Sequence, residues 1–195
     1  MTDPLHQQDD AATPLTPEER EALIPSYITL RRELNEAEQA NILEAESWAF
    51  GRRRDVLEER FLKNLHKRML GKVWRWAGSY RRSERKPGVE AWRIPQDMGQ
   101  LIGDCRYWID HKVYEPDETA ARFHHKLVWI RAFPNGNGRH ARLAPDLLLT
   151  ALGRERFSWG RVNLVDHTAT RKAYVAALQA ADNYDITHLM AFVRS

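Results

Sequence analysis

Residues 123–149 constrain this chain more than any other stretch. Phe123, Leu127 and Ile130 stand at the i, i+4, i+7 spacing of a buried helical face, and Leu143, Leu147 and Ala151 resume the pattern after an interruption. The interruption reads Phe133-Pro134-Asn135-Gly136-Asn137-Gly138-Arg139-His140-Ala141-Arg142. A polar, glycine-bearing loop held between two apolar helices is therefore expected at the centre of the fold.

Gly136 and Gly138 permit positive φ and leave main-chain N–H groups open, and the helix that follows adds its own unpaired amides and the positive end of its dipole. A corner of this kind binds phosphate. Arg139 and Arg142, three residues apart, emerge on one side of the first helical turns, where two guanidinium forks can hold further phosphate oxygens. An ordinary Asn-Gly turn between antiparallel helices, with two solvated arginines, would account for a bare Gly-x-Gly equally well. The specificity lies in the whole ten-residue run.

A length of 195 residues suits one domain, and 43% hydrophobic residues with seven Trp and six Phe supply the core. Thirty basic against twenty-seven acidic residues leave a net charge of only +3, so the basic pI is a weak argument for a nucleic-acid partner. A single cysteine, Cys105, excludes an intramolecular disulfide framework and suits a reducing cytosol. No apolar run approaches a membrane span, and the first ten residues lack a signal-peptide pattern, so a cytoplasmic location is expected.

Residues 1–13 read as a flexible tail and 14–195 as one helical domain. Thr16-Pro17-Glu18-Glu19 is a helix start with Thr16 as N-cap, giving a short helix to Ile24. One long helix is expected over residues 27–50 and a second over 56–70, where Leu57, Phe61, Leu65 and Met69 share a face. The segment Trp74 to Tyr80 reads as an aromatic turn plugging the core, and residues 81–94, about Lys86-Pro87-Gly88, as the only strand pair. Further helices are expected over 95–114 and from Glu115-Pro116 into the motif. Pro145 should kink or break the helix after the loop. A connecting loop at 157–165 leads to a helix over 168–181, packed by Ala169, Ala173, Ala176, Ala177 and Ala180, and a last one over 186–193.

The central run resembles the motif of the Fic family, His-x-Phe-x-(Asp/Glu)-Gly-Asn-Gly-Arg-x-x-Arg, with Phe133, Gly136, Asn137, Gly138, Arg139 and Arg142 in register. Trp74-Arg75-Trp76-Ala77-Gly78-Ser79-Tyr80-Arg81 resembles the family's Trp-Ala-Gly-x-Tyr-Arg segment. Phe123-His124-His125-Lys126-Leu127-Val128 and Phe157-Ser158-Trp159-Gly160 are similar to the branch called mobile mystery protein B. The resemblance spans roughly residues 15–195. It implies an all-α fold, a Fic-like helical bundle with a small β-hairpin flap at 81–94, in a bacterial, mobile-element, toxin-like protein. The activity implied is transfer of AMP from ATP to a Ser, Thr or Tyr hydroxyl of a target protein.

Carried over residue by residue, the resemblance makes Gly136, Asn137 and Gly138 the anion cradle and gives Arg139 and Arg142 the outer phosphates of ATP. It puts Asn135 at the Mg²⁺ position and Arg131 at the position of the catalytic histidine. Both last positions depart from the family pattern. Asn135 is a neutral oxygen ligand where a carboxylate is usual, which weakens metal binding without excluding it, because Mg²⁺ accepts carbonyl oxygens and keeps several waters. Arg131, with a pKa above about 12, cannot take a proton near neutrality. His124 lies two turns before Arg131, roughly 10 Å away at a rise of 1.5 Å per residue, and His140 one turn into the next helix, too far to replace the base without rearrangement. Thr29 and Glu33 match the spacing of the family's inhibitory motif, whose glutamate pairs with the second motif arginine, here Arg142; Leu34 does not match, and a solvated Glu33 on a helix surface is the alternative.

Three functions stay open on the sequence. The chain is a Fic-type AMP transferase whose base is replaced, or a nucleotide-binding pseudoenzyme that regulates a partner, or a nucleic-acid-associated accessory protein of a mobile element. The partners implied are a target protein docked on the flap, an antitoxin-like neighbour and a second copy in a homodimer.

Overall fold

A computed structural model describes residues 15–160 and 167–195. The elements run α1 (Pro17–Arg20), α2 (Arg31–Phe50), α3 (Glu59–Leu70), a 3₁₀ turn (Ala91–Arg93), α4 (Ile94–Asp110), α5 (Pro116–Ile130), α6 (Asn137–Ala151), α7 (His167–Asp182) and α8 (Thr187–Val193). Among the described residues there is no β-strand; an isolated antiparallel bridge joins Leu23 to Trp74. The fold is all-α, as expected. The tail expected over 1–13 lies outside the described residues, as does most of the connecting loop expected over 157–165.

α5 and α6 are the axis of the molecule. On one side Phe123, Leu127, Ile130, Leu143, Leu147 and Leu148 join α2, α3 and α4 in the larger core, where Leu62, Leu65, Met69 and Leu70 of α3 are fully buried. On the other, Ala120, Ala121 and Leu149 meet Phe157, Trp159 and the inner faces of α7 and α8 in a second core. Leu57, Phe61, Leu65 and Met69 are all buried, as their spacing of four predicts. Trp74 is buried within the larger core, and stacks on Trp76 at 5.1 Å between ring centroids. No helix among the described residues is long and apolar enough to cross a membrane.

Five expectations are corrected. α1 stops at Arg20, well short of Ile24, because the chain turns into main-chain bonds with the segment after α3: Ile24 N–H donates to the Val73 carbonyl at 2.8 Å, and Arg75 N–H to that of Ala22 at 2.9 Å. The long helix begins at Arg31 and not at Tyr27, since Glu33 turns its carboxylate back to accept the N–H groups of Thr29 (2.9 Å) and Leu30 (3.0 Å) and closes the first turn.

α6 passes through Pro145 without a break. The carbonyl that proline leaves without its i+4 donor, that of Ala141, instead accepts from His124 Nδ1 at 2.7 Å. In α7 the inner face is Tyr174, Ala177, Leu178 and Ala181, while Ala169, Ala173 and Ala176 face solvent. Small residues gave the wrong stripe there, because alanine packs well but exposes as cheaply.

The β-hairpin flap is not formed. Residues 81–90 are a loop organised from beneath by the Arg81 side chain, which is 3% exposed. Its Nη1 donates to the Ser83 carbonyl at 2.8 Å and its Nη2 to that of Val89, so the two limbs are joined through a guanidinium instead of a main-chain ladder. Pro87 at the tip has no N–H to contribute.

Candidate functional site

α5 ends in a left-handed residue. Arg131 has φ 48° and ψ 60° and caps the helix by donating its N–H to the Leu127 carbonyl at 3.2 Å. An L-residue other than Asn, Asp or His is uncommon in this conformation. Arg81 sustains it: its Nε donates to the Arg131 carbonyl at 2.7 Å, and its main-chain N–H to that of Ala132 at 2.9 Å. Arg81 thus fixes the backbone at the position where the family motif has histidine. In the sequence it closes the Trp-Ala-Gly-x-Tyr-Arg segment, and its burial shows what it does there.

The loop from 132 to 136 is braced by its own side chains. Asn137 Oδ1 accepts the Phe133 N–H at 2.9 Å and its Nδ2 donates to the Phe133 carbonyl at 2.7 Å, so this side chain ties the loop to the start of α6. Asn135 Oδ1 accepts the Gly136 N–H at 2.6 Å. The Asn135 carbonyl accepts from His66 Nε2 at 2.9 Å, and His66 Nδ1 accepts the Gly78 N–H at 3.0 Å. The His66 ring stacks on Phe133 with centroids 3.7 Å apart. His66, which the sequence did not single out, is therefore the post on which the loop and the Trp74–Tyr80 segment both rest.

Gly136 is the residue that opens α6, with φ 74°. A Cβ there would lie 2.5 Å from Leu70 Cδ1 and 3.2 Å from His66 Nε2, so both conformation and space require glycine. Gly138 differs from expectation. It sits in the first helical turn without positive φ, and a Cβ on it would meet nothing within 4 Å. Its lack of a side chain leaves open space in front of the helix's first amides, which have no partners within the helix.

Arg139 and Arg142 flank that space differently. Arg139 Nη1 donates to Glu38 Oε2 at 2.7 Å, and Glu38, 5% exposed, also accepts from Trp74 Nε1 at 2.7 Å. Arg142 turns back over the first turn, its Nε donating to the Gly138 carbonyl at 3.4 Å. The acidic partner of a motif arginine is thus Glu38 on Arg139; among the described residues no ion pair joins Glu33 to Arg142, and Glu33 serves as the cap of α2. Glu38 lies one turn beyond the stretch that the inhibitory motif singles out.

Tyr174 of α7 completes the corner. Its hydroxyl is 3.0 Å from His124 Nε2. Because His124 Nδ1 must donate to the Ala141 carbonyl, the neutral ring accepts the tyrosine O–H at Nε2. Burial raises the phenol to about 12, with Arg142 and Arg131 pulling it down from opposite ends of the loop. The three histidines around the site are all kept neutral by burial. His124 is lowered to about 3, His140 to about 4 with Nε2 on the Leu62 carbonyl, and His66 well below the usual imidazole range. His125 is engaged elsewhere, with Nε2 on Asp182 Oδ1 at 2.7 Å.

The donors offered to a metal are few. Asn135 contributes a neutral amide oxygen that already accepts a main-chain N–H, and both Glu38 oxygens are taken. Among the described residues no group of three His, Cys, Asp or Glu is placed to hold a metal ion. Mg²⁺ demands octahedral oxygens, usually including a carboxylate, and these residues do not fit it. What the corner does offer is a set of first-turn amides and guanidinium groups, which attract anions.

Comparison with known proteins agrees with this geometry. Residues 56–149 match the model of the Fic/DOC family. The chain is 31% identical over 144 residues to the protein adenylyltransferase Fic of Aedes aegypti, an alignment covering 72% of this chain and 26% of that protein. It thus spans about a quarter of the length of that relative. In structure it is similar to the BepC protein of Bartonella tribocorum, solved with bound AMPPNP, with a TM-score of 0.70 at 16% identity over 92% of this chain and 97% of that one. It is also similar to the N-terminal Fic domain of a Bartonella quintana protein solved with bound ADP, with a TM-score of 0.69 at 15% identity over 90% and 94%. The match at residues 56–149 spans α3 to α6 and contains the loop, Arg81 and His66 described above, and with the 31% identity to the Aedes aegypti protein over 72% of this chain it shows that the chain belongs to the Fic/DOC family.

Proposed function

We propose that this domain is a Fic-type protein adenylyltransferase site, built to transfer AMP from ATP to a hydroxyl of a target protein, and that this chain holds the nucleotide but lacks the base. The observation that carries the reading is the opening of α6. Gly136 opens α6 at positive φ, Gly138 has open space where a side chain would lie, and Arg142 sits one turn on with its Nε on the Gly138 carbonyl. Relatives named protein adenylyltransferases, and structural neighbours solved with AMPPNP and ADP, support the same ligand class.

In such a transfer the hydroxyl oxygen attacks the α-phosphorus, the bond to pyrophosphate breaks, and the hydroxyl proton must pass to a base. The amides and Arg142 are suited to hold phosphate charge, while Arg139 is steadied by Glu38. Arg131 cannot accept the proton. His124 has both nitrogens engaged, and His66 and His140 are 0% and 2% exposed, out of reach of an external hydroxyl. Mg²⁺, when bound to ATP, would neutralise phosphate charge, but among the described residues no group of carboxylates is arranged to receive it. The target docks beside Arg131 on the 82–93 loop, where Trp92 is 73% exposed, through side-chain contacts and not by strand addition.

A second reading, a pseudoenzyme that binds nucleotide and regulates a partner, is favoured by the same Arg131. Incorporation of label from α-labelled ATP, into the protein itself and into added target proteins, separates the two. Arg131→His suits the left-handed backbone, since histidine is enriched there. The chain as it stands should give no labelling, Arg131→His should give it, and adding Arg142→Ala should remove it. Arg131→His that binds ATP without transfer would favour the pseudoenzyme.

A further inference from the structure

We infer that the nucleotide taken by this site is the metal-free polyanion, its phosphates neutralised by arginine and main-chain N–H groups and not by Mg²⁺. The inference rests on the phosphate-binding reading above and concerns the form of ligand bound. Two observations on opposite sides of the loop carry it.

The first is the state of the oxygens that Asn135, Phe133, Arg131 and Glu38 bring toward the opening of α6. Asn135 Oδ1 lies 2.6 Å from the Gly136 N–H it accepts, and the Asn135 carbonyl is held by His66. The Phe133 carbonyl is held by Asn137, and the Arg131 carbonyl by Arg81. Glu38, the carboxylate that reaches the motif, has one oxygen on Arg139 and the other on Trp74. A cation entering here would meet neutral oxygens that each already accept a bond, and a carboxylate committed to two other donors.

The second is the sign of the charge. Arg142 reaches back along the first turn of α6 and Arg131 stands at the end of α5, both near enough to act on the Tyr174 hydroxyl, while Arg139 is balanced by Glu38, so the net charge around that turn is positive. A hydrated divalent cation brings two further positive charges into that field, whereas free ATP carries more negative charge than its Mg²⁺ complex and gains from it. Guanidinium forks also match phosphate oxygens in pairs, which a chelated phosphate chain offers less freely.

The test is titration of the whole protein with ATP by calorimetry, in EDTA and in excess MgCl₂ at matched ionic strength. Affinity in EDTA should equal or exceed that in Mg²⁺, and Arg142→Ala should weaken it. Asn135→Asp should invert the preference, weakening ATP in EDTA by about tenfold while Mg²⁺ restores it, because a carboxylate repels the free anion and gives the metal a ligand. Binding that requires Mg²⁺ in the unmodified protein would overturn the inference and leave the phosphate site standing. No binding in either buffer would overturn the phosphate-site reading itself.

Discussion

His124 Nδ1 donates to the Ala141 carbonyl at 2.7 Å, and Ala141 is the residue whose helical donor Pro145 removes. A proline in α6 and a histidine in α5 are therefore one device. The first expected outcome follows from it. His124→Phe leaves the carbonyl and the Tyr174 hydroxyl without partners, at about 1–3 kcal/mol for each unsatisfied buried group. Pro145→Ala, which returns the N–H, should recover part of that loss in the double variant, as urea unfolding of the two single variants and the pair will show.

Acid should weaken the fold through the buried histidines. His124 and His140 are lowered from 6.5 to about 3 and about 4, and His66 also lies low. The unfolded chain therefore binds protons that the folded one refuses. Stability is full above pH 6.5 and falls as the pH drops from there through about 4. Melting temperatures across this window should decline, and His140→Gln, which keeps a donor for the Leu62 carbonyl without titrating, should make the decline shallower.

The two loop glycines should separate. Gly136→Ala forces a Cβ against Leu70 at φ 74° and should destabilise by about 1–3 kcal/mol, with loss of ATP binding. Gly138→Ala has room and helical backbone, so stability should hold or rise by up to about 1 kcal/mol while the added methyl weakens ATP. Equal effects of both on thermal unfolding would contradict the geometry.

Glu38 and Glu33 should likewise differ. Glu38→Ala strands the buried Trp74 Nε1 and should cost about 1–3 kcal/mol, whereas Glu38→Gln keeps an acceptor for it and should cost less. Glu33→Ala removes only an exposed helix cap. It should leave ATP affinity unchanged, measured by the same titration that reports on Arg142→Ala.

Much of the site was legible because it is local. The run from Phe133 to Arg142 holds its own loop, through Asn137 on Phe133 and Asn135 on Gly136, so spacing in the sequence translates directly into geometry. What escaped came from distant elements: His66 beneath the loop, Glu38 on Arg139, Tyr174 over His124 and Arg81 behind Arg131. Arg81 closes a recognisable segment but with no sign of its task, and the others have no periodic or compositional signature, since a buried polar residue looks in sequence like the exposed ones around it. Tyr174 was hidden further by the alanines of α7, which mark the face opposite to the buried one. The flap was misread for a related reason. Turn residues between short runs suggest a hairpin, and only the burial of Arg81 reveals that a side chain closes the loop instead.

Arg81 also decides how freely that loop can change. Its guanidinium grips the carbonyls of Ser83, Val89 and Arg131, and carbonyls are common to every residue type, so with Glu84 on the Ala91 N–H and Arg85 on Glu19 holding the limbs, the exposed tip residues Lys86 and Pro87 are left with little part in the loop's path. Those two tip positions can be exchanged without disturbing the end of α5. A surface that meets other proteins can in this way be rewritten while the chemistry beside it stays in register.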